Sequence, residues 1–480
     1  MTFNSIGFLL AFPVFAAIYF VVPARAQTTL LLVASLAGYS AFDVRLAVVL
    51  VSVAGVVWAV ARSAARRAGR QRAAITAVGV AAVLAVLVAG KYLGFLAASL
   101  DGATGVAGLG PVVPDLNWLG AAGVSFYVLS AVSYLVDVKR GTIAPERSFA
   151  HVAVYLAFFP KLLAGPIARV GPFLQQLARP RRFDEPRVVA GLQQMLWGFF
   201  KKVVIADRLA LIVDRAYAQP AFTSPADLVI ATYGFAVQLY CDFSGYSDIA
   251  IGASRVLGFD LVENFRRPFL ASSVSSFWSQ RWHISLGAWF RDYVYIPLGG
   301  SRVMLPWQAA NIMAVFLLSG LWHGANWTFV VWGGLNGLLV VTGLAWRRSP
   351  LAAWPVVETL RRGVPSAVRP LITFHLILVT WVFFRAASIE DGRLIVGRVA
   401  GALGQLPSLL IARLQVGDLT LPILLVAALL AIEVVDERRP VWQRLGRVPV
   451  PVRWAAYYAL AFALIVLGVW TNQQFVYMRF

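Results

Sequence analysis

The stretch Phe316-Leu-Leu-Ser-Gly-Leu-Trp-His-Gly-Ala-Asn-Trp327 places one histidine, His323, inside an uncharged and mostly apolar run. An imidazole is costly at hydrocarbon depth, so an ionisable group there usually pairs with another group, lines a cavity or takes part in chemistry. We expect Gly320 and Gly324 to clear space around the ring. The stretch therefore predicts a membrane helix that carries a functional histidine.

The composition of the whole chain agrees with a membrane location. The 480 residues are 60% hydrophobic and 13% charged, whereas a soluble protein carries about 25% charged residues. The net charge of +20 would suit nucleic-acid binding, but the arginines lie between apolar runs. Cytoplasmic loops beside anionic lipid explain that pattern better, so no nucleic-acid partner is expected. The single cysteine, Cys241, excludes an intramolecular disulfide framework and a thiolate metal cluster.

Apolar runs recur along the chain, and several of them are shorter than the roughly 20 residues that span a bilayer. The runs are 6–23, 28–42, 44–61, 73–98, 117–137, 148–166, 190–217, 225–250, 308–321, 326–346, 370–385, 421–435 and 454–471. We predict about 11 spans plus re-entrant or interfacial helices. The first 26 residues imitate a signal peptide, but we interpret Ile6–Val22 as the first retained span. The clearest basic loops, which should face the cytoplasm, are Arg62–Arg72, Arg347-Arg348, Arg361-Arg362 and Glu437–Arg453.

The predicted fold class is an all-α polytopic membrane protein, with residues 1–480 in a single membrane domain. Most Pro-Gly breaks and most polar residues within apolar sequence fall in its middle, at about residues 120–340. Irregular backbone at membrane depth is tolerated only where protein or a wet cavity covers it. The functional site is therefore expected in this middle portion.

The segment Ser276–Arg302 combines tryptophans with polar groups. At helical spacing, Trp278, Trp282 and Trp289 would form an aromatic face suited to the lipid headgroup level. A functional interpretation is a helix that lines an entrance and presents His283 and Arg291 inward. An interfacial anchor helix with snorkelling charges explains the same residues.

His283 and His323 are 40 residues apart, and one returning helix could bring them together. A two-histidine metal site lacks a third ligand at usable spacing, so no metal is expected. The remaining histidines, His151 and His375, have no comparable surroundings. We interpret both as structural or interfacial residues.

Two further segments interrupt apolar sequence with polar groups. Around Asp242, Ser244, Tyr246 and Asp248, the polar side chains must either face a cavity or bond neighbouring helices. We favour a structural role for both aspartates, Asp242 and Asp248, and keep a catalytic role open. In Tyr155–Arg169, two prolines bracket Lys161, which favours a re-entrant hairpin over an ordinary span.

Together these segments resemble the membrane-bound O-acyltransferase family, and within it the alginate O-acetyltransferase type of bacterial inner-membrane protein. The matching motifs are Gly123-Val-Ser-Phe-Tyr127, Ser133-Tyr-Leu-Val-Asp137, Phe158-Phe-Pro-Lys-Leu-Leu-Ala-Gly-Pro-Ile167, Cys241–Gly252, Arg281–Gly300 and Ser319–Trp327. The resemblance covers about residues 1–340. It implies a helical bundle around a central tunnel that reaches towards both membrane faces.

The resemblance also implies roles for single residues. The hallmark histidine of the family falls on His323, and the second polar position, asparagine or histidine across the family, falls on His283. A neutral imidazole suits the removal of a hydroxyl proton, so His323 is expected to be the general base. His283 would orient the acceptor or stabilise the oxyanion. The pocket or tunnel would be shaped by Trp322, Asn326, Arg291, Asp242, Ser244, Tyr246 and Lys161, although no specific role follows for the lysine.

The implied reaction moves an acetyl group from acetyl-CoA, as a substrate and not a permanently bound cofactor, to an extracytoplasmic polysaccharide. The implied partners are membrane lipid, the polysaccharide and a separate periplasmic or extracellular acetyltransferase. The implied location is the bacterial cytoplasmic membrane, crossed many times. Two alternatives remain: transfer of D-alanyl or longer acyl groups by the same fold, and a non-enzymatic transporter or lipid-binding scaffold. Transporters usually carry internal repeats, and no repeat is evident in this sequence.

Overall fold

Helices account for the architecture of the computed structural model, which describes residues 3, 5–106, 123–350, 365–402, 404, 408, 411, 419–438, 448–470 and 475. No strand occurs among these residues, so the predicted all-α class is confirmed. Three sequence predictions lie wholly or partly outside them. These are the start of the span 117–137, the loop Arg361-Arg362 and the middle of the loop Glu437–Arg453.

The helices follow the apolar runs closely in the first part of the chain. They are α1 Ile6–Val21, α2 Ala24–Ser40, α3 Val44–Ala65, α4 Gly69–Leu87, α5 Leu93–Val106, α6 Val124–Arg140, α7 Phe149–Ala157, α8 Phe159–Leu162, α9 Val170–Leu177 and α10 Glu185–Phe199. The second part continues with α11 Asp207–Ala218, α12 Pro225–Val256, α13 Val274–Ser276, α14 Ile284–Phe290, α15 Leu305–His323, α16 Trp327–Arg348, α17 Val368–Arg385, α18 Ile389–Ala402, α19 Thr420–Arg438 and α20 Val450–Leu467.

Six of the described helical stretches are long and apolar enough to cross a membrane: Val44–Ala65, Gly69–Asp101, Leu305–His323, Trp327–Arg348, Val368–Arg385 and Val450–Leu467. Large apolar side chains on these and neighbouring helices are exposed, among them Val21, Val78 and Ile465. Such exposure is expected where hydrocarbon replaces water as the solvent. The chain is thus a multi-pass membrane protein, and the total of about 11 spans stays a prediction.

The helices belong to two compact units. The first contains Met1–Met195 and Ser247–Glu263, and the second contains Leu196–Tyr246 and Asn264–Val476. In the first unit α3, α4 and α6 pack against one another, and most side chains of α6 are buried. In the second unit α15 packs along α16, and α16 packs along α17. The prediction of a single membrane domain is left as a prediction.

The apolar run 148–166 is broken, as its prolines predict. The helix α7 ends at Ala157, the short helix α8 contains Pro160, and the next helix begins only at Val170. The proline ring removes a backbone donor and clashes with the preceding turn, so the run cannot continue as one helix. This agrees with the expectation that it is not an ordinary span.

In the described part of the chain, wide π-helical turns interrupt the helices at four places: Val88–Tyr92, Phe200–Ala206, Phe277–Arg281 and Arg291–Tyr295. Single π turns inside α-helices occur frequently at functional sites. Two of these four precede and follow the segment that carries His283. A third carries two consecutive buried lysines, Lys201 and Lys202.

Candidate active site

The imidazole rings of His283 and His323 lie close together, with their centroids 6.1 Å apart. Both side chains are deeply buried, since His283 is 3% exposed and His323 is 4% exposed. Trp322 contacts both rings, at centroid distances of 5.8 Å from His283 and 4.9 Å from His323. The two histidines, which the sequence left only as a possible pair, therefore lie together.

Aromatic rings from two further helices enclose His323, which is the last residue of α15. Trp332 of α16 lies 5.0 Å from the imidazole centroid, and Phe384 of α17 lies 5.5 Å from it. Both contacts are edge-to-face, an arrangement that aromatic rings favour. Aromatic side chains therefore surround His323, the residue that the sequence predicts to be the general base.

The expectation that Gly320 and Gly324 make room for the ring of His323 is wrong. A Cβ atom at Gly320 would collide with the backbone carbonyl of Phe329, and a Cβ at Gly324 would collide with the ring of the same residue. Likewise, a Cβ at Gly333 would collide with the carbonyl oxygen of Phe316. These glycines therefore allow α15 and α16 to pack closely, because small residues let membrane helices approach until their backbones touch.

The backbone of His283 adopts a left-handed conformation, with φ of 46°. This conformation is uncommon for a residue with a side chain and is found mostly where the surroundings impose it. Asn264 supplies part of that support. Its carbonyl accepts the Ile284 N–H at 2.9 Å, and its side-chain oxygen accepts the hydroxyl of Ser285 at 2.9 Å.

This conformation corrects the prediction of a headgroup-level helix that carries Trp278, Trp282 and Trp289 on one face. The helix is interrupted at Trp282 and His283, and α14 begins only at Ile284. The tryptophans do not form an exposed face either. Trp282 is 2% exposed and Trp289 is 6% exposed. Long-range packing overrides the helical periodicity, since Trp282 packs on Trp381 of α17 with ring centroids 4.9 Å apart.

Two phenylalanines complete the surroundings of His283. The ring of Phe243, on α12, lies 4.6 Å from the imidazole, and the ring of Phe265 lies 6.3 Å away in a nearly parallel orientation. Burial in this apolar environment lowers the pKa of His283 below its ordinary value. His283 is therefore a neutral imidazole that can donate or accept a hydrogen bond.

A cavity of about 300 Å³ opens beside the two histidines. His283 and His323 both line it, together with apolar side chains of α14 and α15. Ser319 also lines it, one helical turn before His323 on the same face of α15. Arg291 contributes to the lining too, although its side chain is 62% exposed and bonded to Asp292 at 2.7 Å. This exposure places Arg291 at the mouth of the cavity.

A buried network of charges lies between the π turn Phe200–Ala206 and α12. The ammonium of Lys202 lies 2.5 Å from a carboxylate oxygen of Asp242 and 2.7 Å from one of Asp207. The neighbouring Lys201 donates a hydrogen bond to the hydroxyl of Ser244 at 2.9 Å. Asp242 and Ser244 thus bind buried lysines and do not line the cavity beside the histidines.

Sequence reasoning missed these two lysines. The sequence did contain an indication of this network, because consecutive lysines in an apolar run need buried partners just as aspartates do. Asp242 precedes Phe243, which packs on His283. The network therefore fixes the part of α12 that forms one wall around the second histidine.

The other predicted site residues have different surroundings. Trp322 lies against both imidazoles, as described above, whereas Asn326 is exposed and its side chain caps α16 by accepting the N–H of Thr328 at 3.0 Å. Tyr246 is buried and stacks on Phe475 with ring centroids 4.8 Å apart. Lys161 belongs to the first unit, where its ammonium lies 4.6 Å from the ring centroid of Tyr155.

The remaining histidines have partners that suit structural roles. His375 bonds to the hydroxyl of Tyr233 at 2.9 Å, and a ring nitrogen of His151 lies 3.6 Å from a carboxylate oxygen of Glu146. Gln194 donates a hydrogen bond to Asp248 at 3.0 Å. Within the described ranges, no group of three or more His, Cys, Asp or Glu side chains is arranged to hold a metal ion.

The fold and the candidate site are those of a multi-pass membrane protein with two buried histidines beside a cavity. The sequence profile of the membrane-bound O-acyltransferase family matches residues 142–385, a stretch that includes both histidines. The chain belongs to this family. It is an O-acyltransferase of the bacterial inner membrane that crosses the bilayer several times.

Three kinds of curated relatives are similar to the chain. A protein of Azotobacter vinelandii named "probable alginate O-acetylase AlgI" is 36% identical over 400 residues, covering 81% of this chain and 76% of the relative. A peptidoglycan O-acetyltransferase of Helicobacter pylori is 32% identical over 307 residues, covering 58% and 57% of the two chains. A teichoic acid D-alanyltransferase of Bacillus subtilis is 28% identical over 242 residues, covering 48% and 60%.

Proposed function

We propose that this acyltransferase moves an acetyl group from cytoplasmic acetyl-CoA to a hydroxyl group of an extracytoplasmic polysaccharide, directly or through a partner acetyltransferase. The single observation that carries the chemistry is the buried pair of His283 and His323 beside a cavity. The assignment of acetyl as the transferred group and of a polysaccharide as the acceptor rests on the similarity to alginate O-acetylases. For the relative from Azotobacter vinelandii this similarity extends over 81% of the chain.

His323 acts as the general base in this proposal. Its imidazole takes the proton of the attacking hydroxyl while the hydroxyl oxygen forms a bond to the thioester carbonyl carbon. The tetrahedral intermediate then collapses, the carbon–sulfur bond breaks, and the thiolate of CoA leaves and receives the proton from the imidazolium. Trp332 and Phe384 pack edge-to-face on His323 and hold the imidazole in place beside the cavity.

His283 and Ser319 assist from the walls of the same cavity. A neutral His283 supplies a hydrogen-bond donor to the developing oxyanion or orients the acceptor hydroxyl. The hydroxyl of Ser319 lies on the face of α15 that also carries His323 and offers a second polar contact for the acyl carbonyl. Trp322 packs on both imidazoles and holds their relative orientation.

A second candidate is transfer of a D-alanyl group by the same pair of histidines. It is favoured by the similarity to the teichoic acid D-alanyltransferase of Bacillus subtilis, which is weaker and covers 48% of the chain. Transfer of a longer acyl chain is the remaining form of this alternative. The transporter or scaffold alternative is not retained, because the chain belongs to an enzyme family.

The direct test uses membranes that contain the full chain and acetyl-CoA labelled in the acetyl group. Transfer of label to cell-surface glycan, absent from membranes with His323→Ala, is the expected result. Membranes supplied with D-alanyl donors serve as the comparison. Label transfer only from the D-alanyl donor would replace the acetyl assignment, and transfer from neither donor would contradict the proposal.

A further inference from the structure

A second cavity of about 330 Å³ lies in the same unit as the two histidines. Ser275 and Val340 line both this cavity and the one beside the histidines, so the two spaces are neighbours. The rest of the second cavity has a different chemistry. Its walls combine two arginines, five hydroxyl side chains and five aliphatic side chains: Arg347, Arg369, Ser272, Ser273, Ser275, Thr342, Thr373, Val274, Leu339, Val340, Ile372 and Leu376.

The two arginines lie at the ends of two membrane-spanning helices. Arg347 is in the last turn of α16, and Arg369 is in the first turn of α17. Basic residues at the ends of spans mark the cytoplasmic side of a membrane protein. The cavity is therefore expected to open at the cytoplasmic surface of the bilayer.

Charge and polarity in this cavity favour an anion that carries an apolar or extended group. Among the described residues that line it, two are cationic and none is acidic. The hydroxyl groups of Ser272 and Thr342 add hydrogen-bonding capacity beside the guanidinium groups, which match phosphate geometry well. The aliphatic wall also faces outward, since Ile372 is 51% exposed and Leu376 is 41% exposed.

We propose that this cavity is a binding site for a phosphate group, held by Arg347 and Arg369 beside the catalytic cavity. Basic pockets between membrane helices on the cytoplasmic side bind the headgroups of anionic phospholipids. The phosphates of the acyl donor offer the same chemistry from the aqueous side. Binding of a lipid headgroup at this cavity does not depend on the proposed function, whereas binding of the acyl donor rests on it.

The test measures binding and not acyl transfer, so its failure is distinct from failure of the proposed reaction. Full-length protein in neutral detergent is titrated with phosphatidylglycerol, with phosphatidylcholine of the same acyl chains, and separately with CoA. The apparent Kd is obtained from the shift of the thermal unfolding midpoint. The variants are Arg347→Gln, Arg369→Gln and their combination. Arg348→Gln is the matched control, because Arg348 is adjacent to Arg347, is exposed and does not line the cavity.

We expect saturable binding that weakens about fivefold for each arginine replaced and about 25-fold for both. Arg348→Gln should retain the wild-type Kd. Selective binding of phosphatidylglycerol assigns the site to lipid, and binding of CoA assigns it to the donor. If neither ligand binds, or if Arg348→Gln weakens binding as much as the cavity variants, the proposal is overturned. If the double variant does not fold, the Kd of each single variant is still compared with that of Arg348→Gln.

Discussion

Trp322 touches the imidazoles of both His283 and His323, whose ring centroids lie 6.1 Å apart. One histidine ends the membrane helix α15, and the other lies in a loop that is held by hydrogen bonds to Asn264. The pair is therefore assembled from two segments that are separated in sequence and pack on each other, since Trp278 contacts Phe316 of α15. A substitution in either segment changes the distance on which the proposed chemistry depends.

The first prediction concerns His283. Replacing it with alanine removes the proposed hydrogen bond to the oxyanion and should lower the rate by about 10² to 10³. His283→Asn keeps a neutral polar group and should retain more activity than the alanine variant. Burial lowers the pKa of His283, so this imidazole does not titrate near neutrality. The pH–rate profiles of the wild type and His283→Asn should therefore have the same shape between about pH 6 and 8. Loss of an ionisation from the profile of the variant would contradict a neutral His283.

The second prediction concerns the contact between α15 and α16. A Cβ at Gly333 would collide with the backbone carbonyl of Phe316, whereas a Cβ at Gly334 would meet only a methyl carbon of Leu317 at 3.8 Å. Gly333→Ala should therefore lower the free energy of unfolding by about 1–3 kcal/mol. Gly334→Ala is the control and should be neutral or stabilising by up to about 1 kcal/mol. Thermal unfolding in detergent measures both variants, and equal stability of the two would show that the helices do not touch at Gly333.

The third prediction concerns the buried lysine network. Lys202→Met leaves the carboxylates of Asp207 and Asp242 buried without their ammonium and should destabilise the protein by about 3–5 kcal/mol. Asp242→Asn should cost less, because Asp207 still pairs with Lys202. Lys139 is exposed, so Lys139→Met serves as the control and should unfold at the wild-type temperature. A Lys202→Met protein as stable as this control would mean that the network contributes little to folding.

Much of the fold could be predicted from hydrophobicity alone. Apolar runs mark the helices, and the prolines around Lys161 mark a break, because both signals are local. The meeting of His283 and His323 was only a possibility in the sequence. It depends on the left-handed backbone at His283, which is supported by hydrogen bonds to Asn264 and is not evident from the local sequence.

The errors have the same physical origin. Tryptophans at helical spacing suggested an exposed aromatic face, but Trp282 is buried against Trp381. Glycines near His323 suggested space for its ring, but that space is filled by α16. The partners of Lys201 and Lys202 could not be identified from the sequence, because a π turn aligns both lysines with α12.

The central claim is that His323 is the base that deprotonates the acceptor hydroxyl. Its most direct test is the acetyl-transfer rate of purified His323→Ala protein, measured with acetyl-CoA and acceptor beside the wild type. The expected result is a loss of about 10² to 10⁴ in rate, with an unfolding temperature close to that of the wild type. A His323→Ala protein that is folded and transfers acetyl groups at the wild-type rate would contradict the claim.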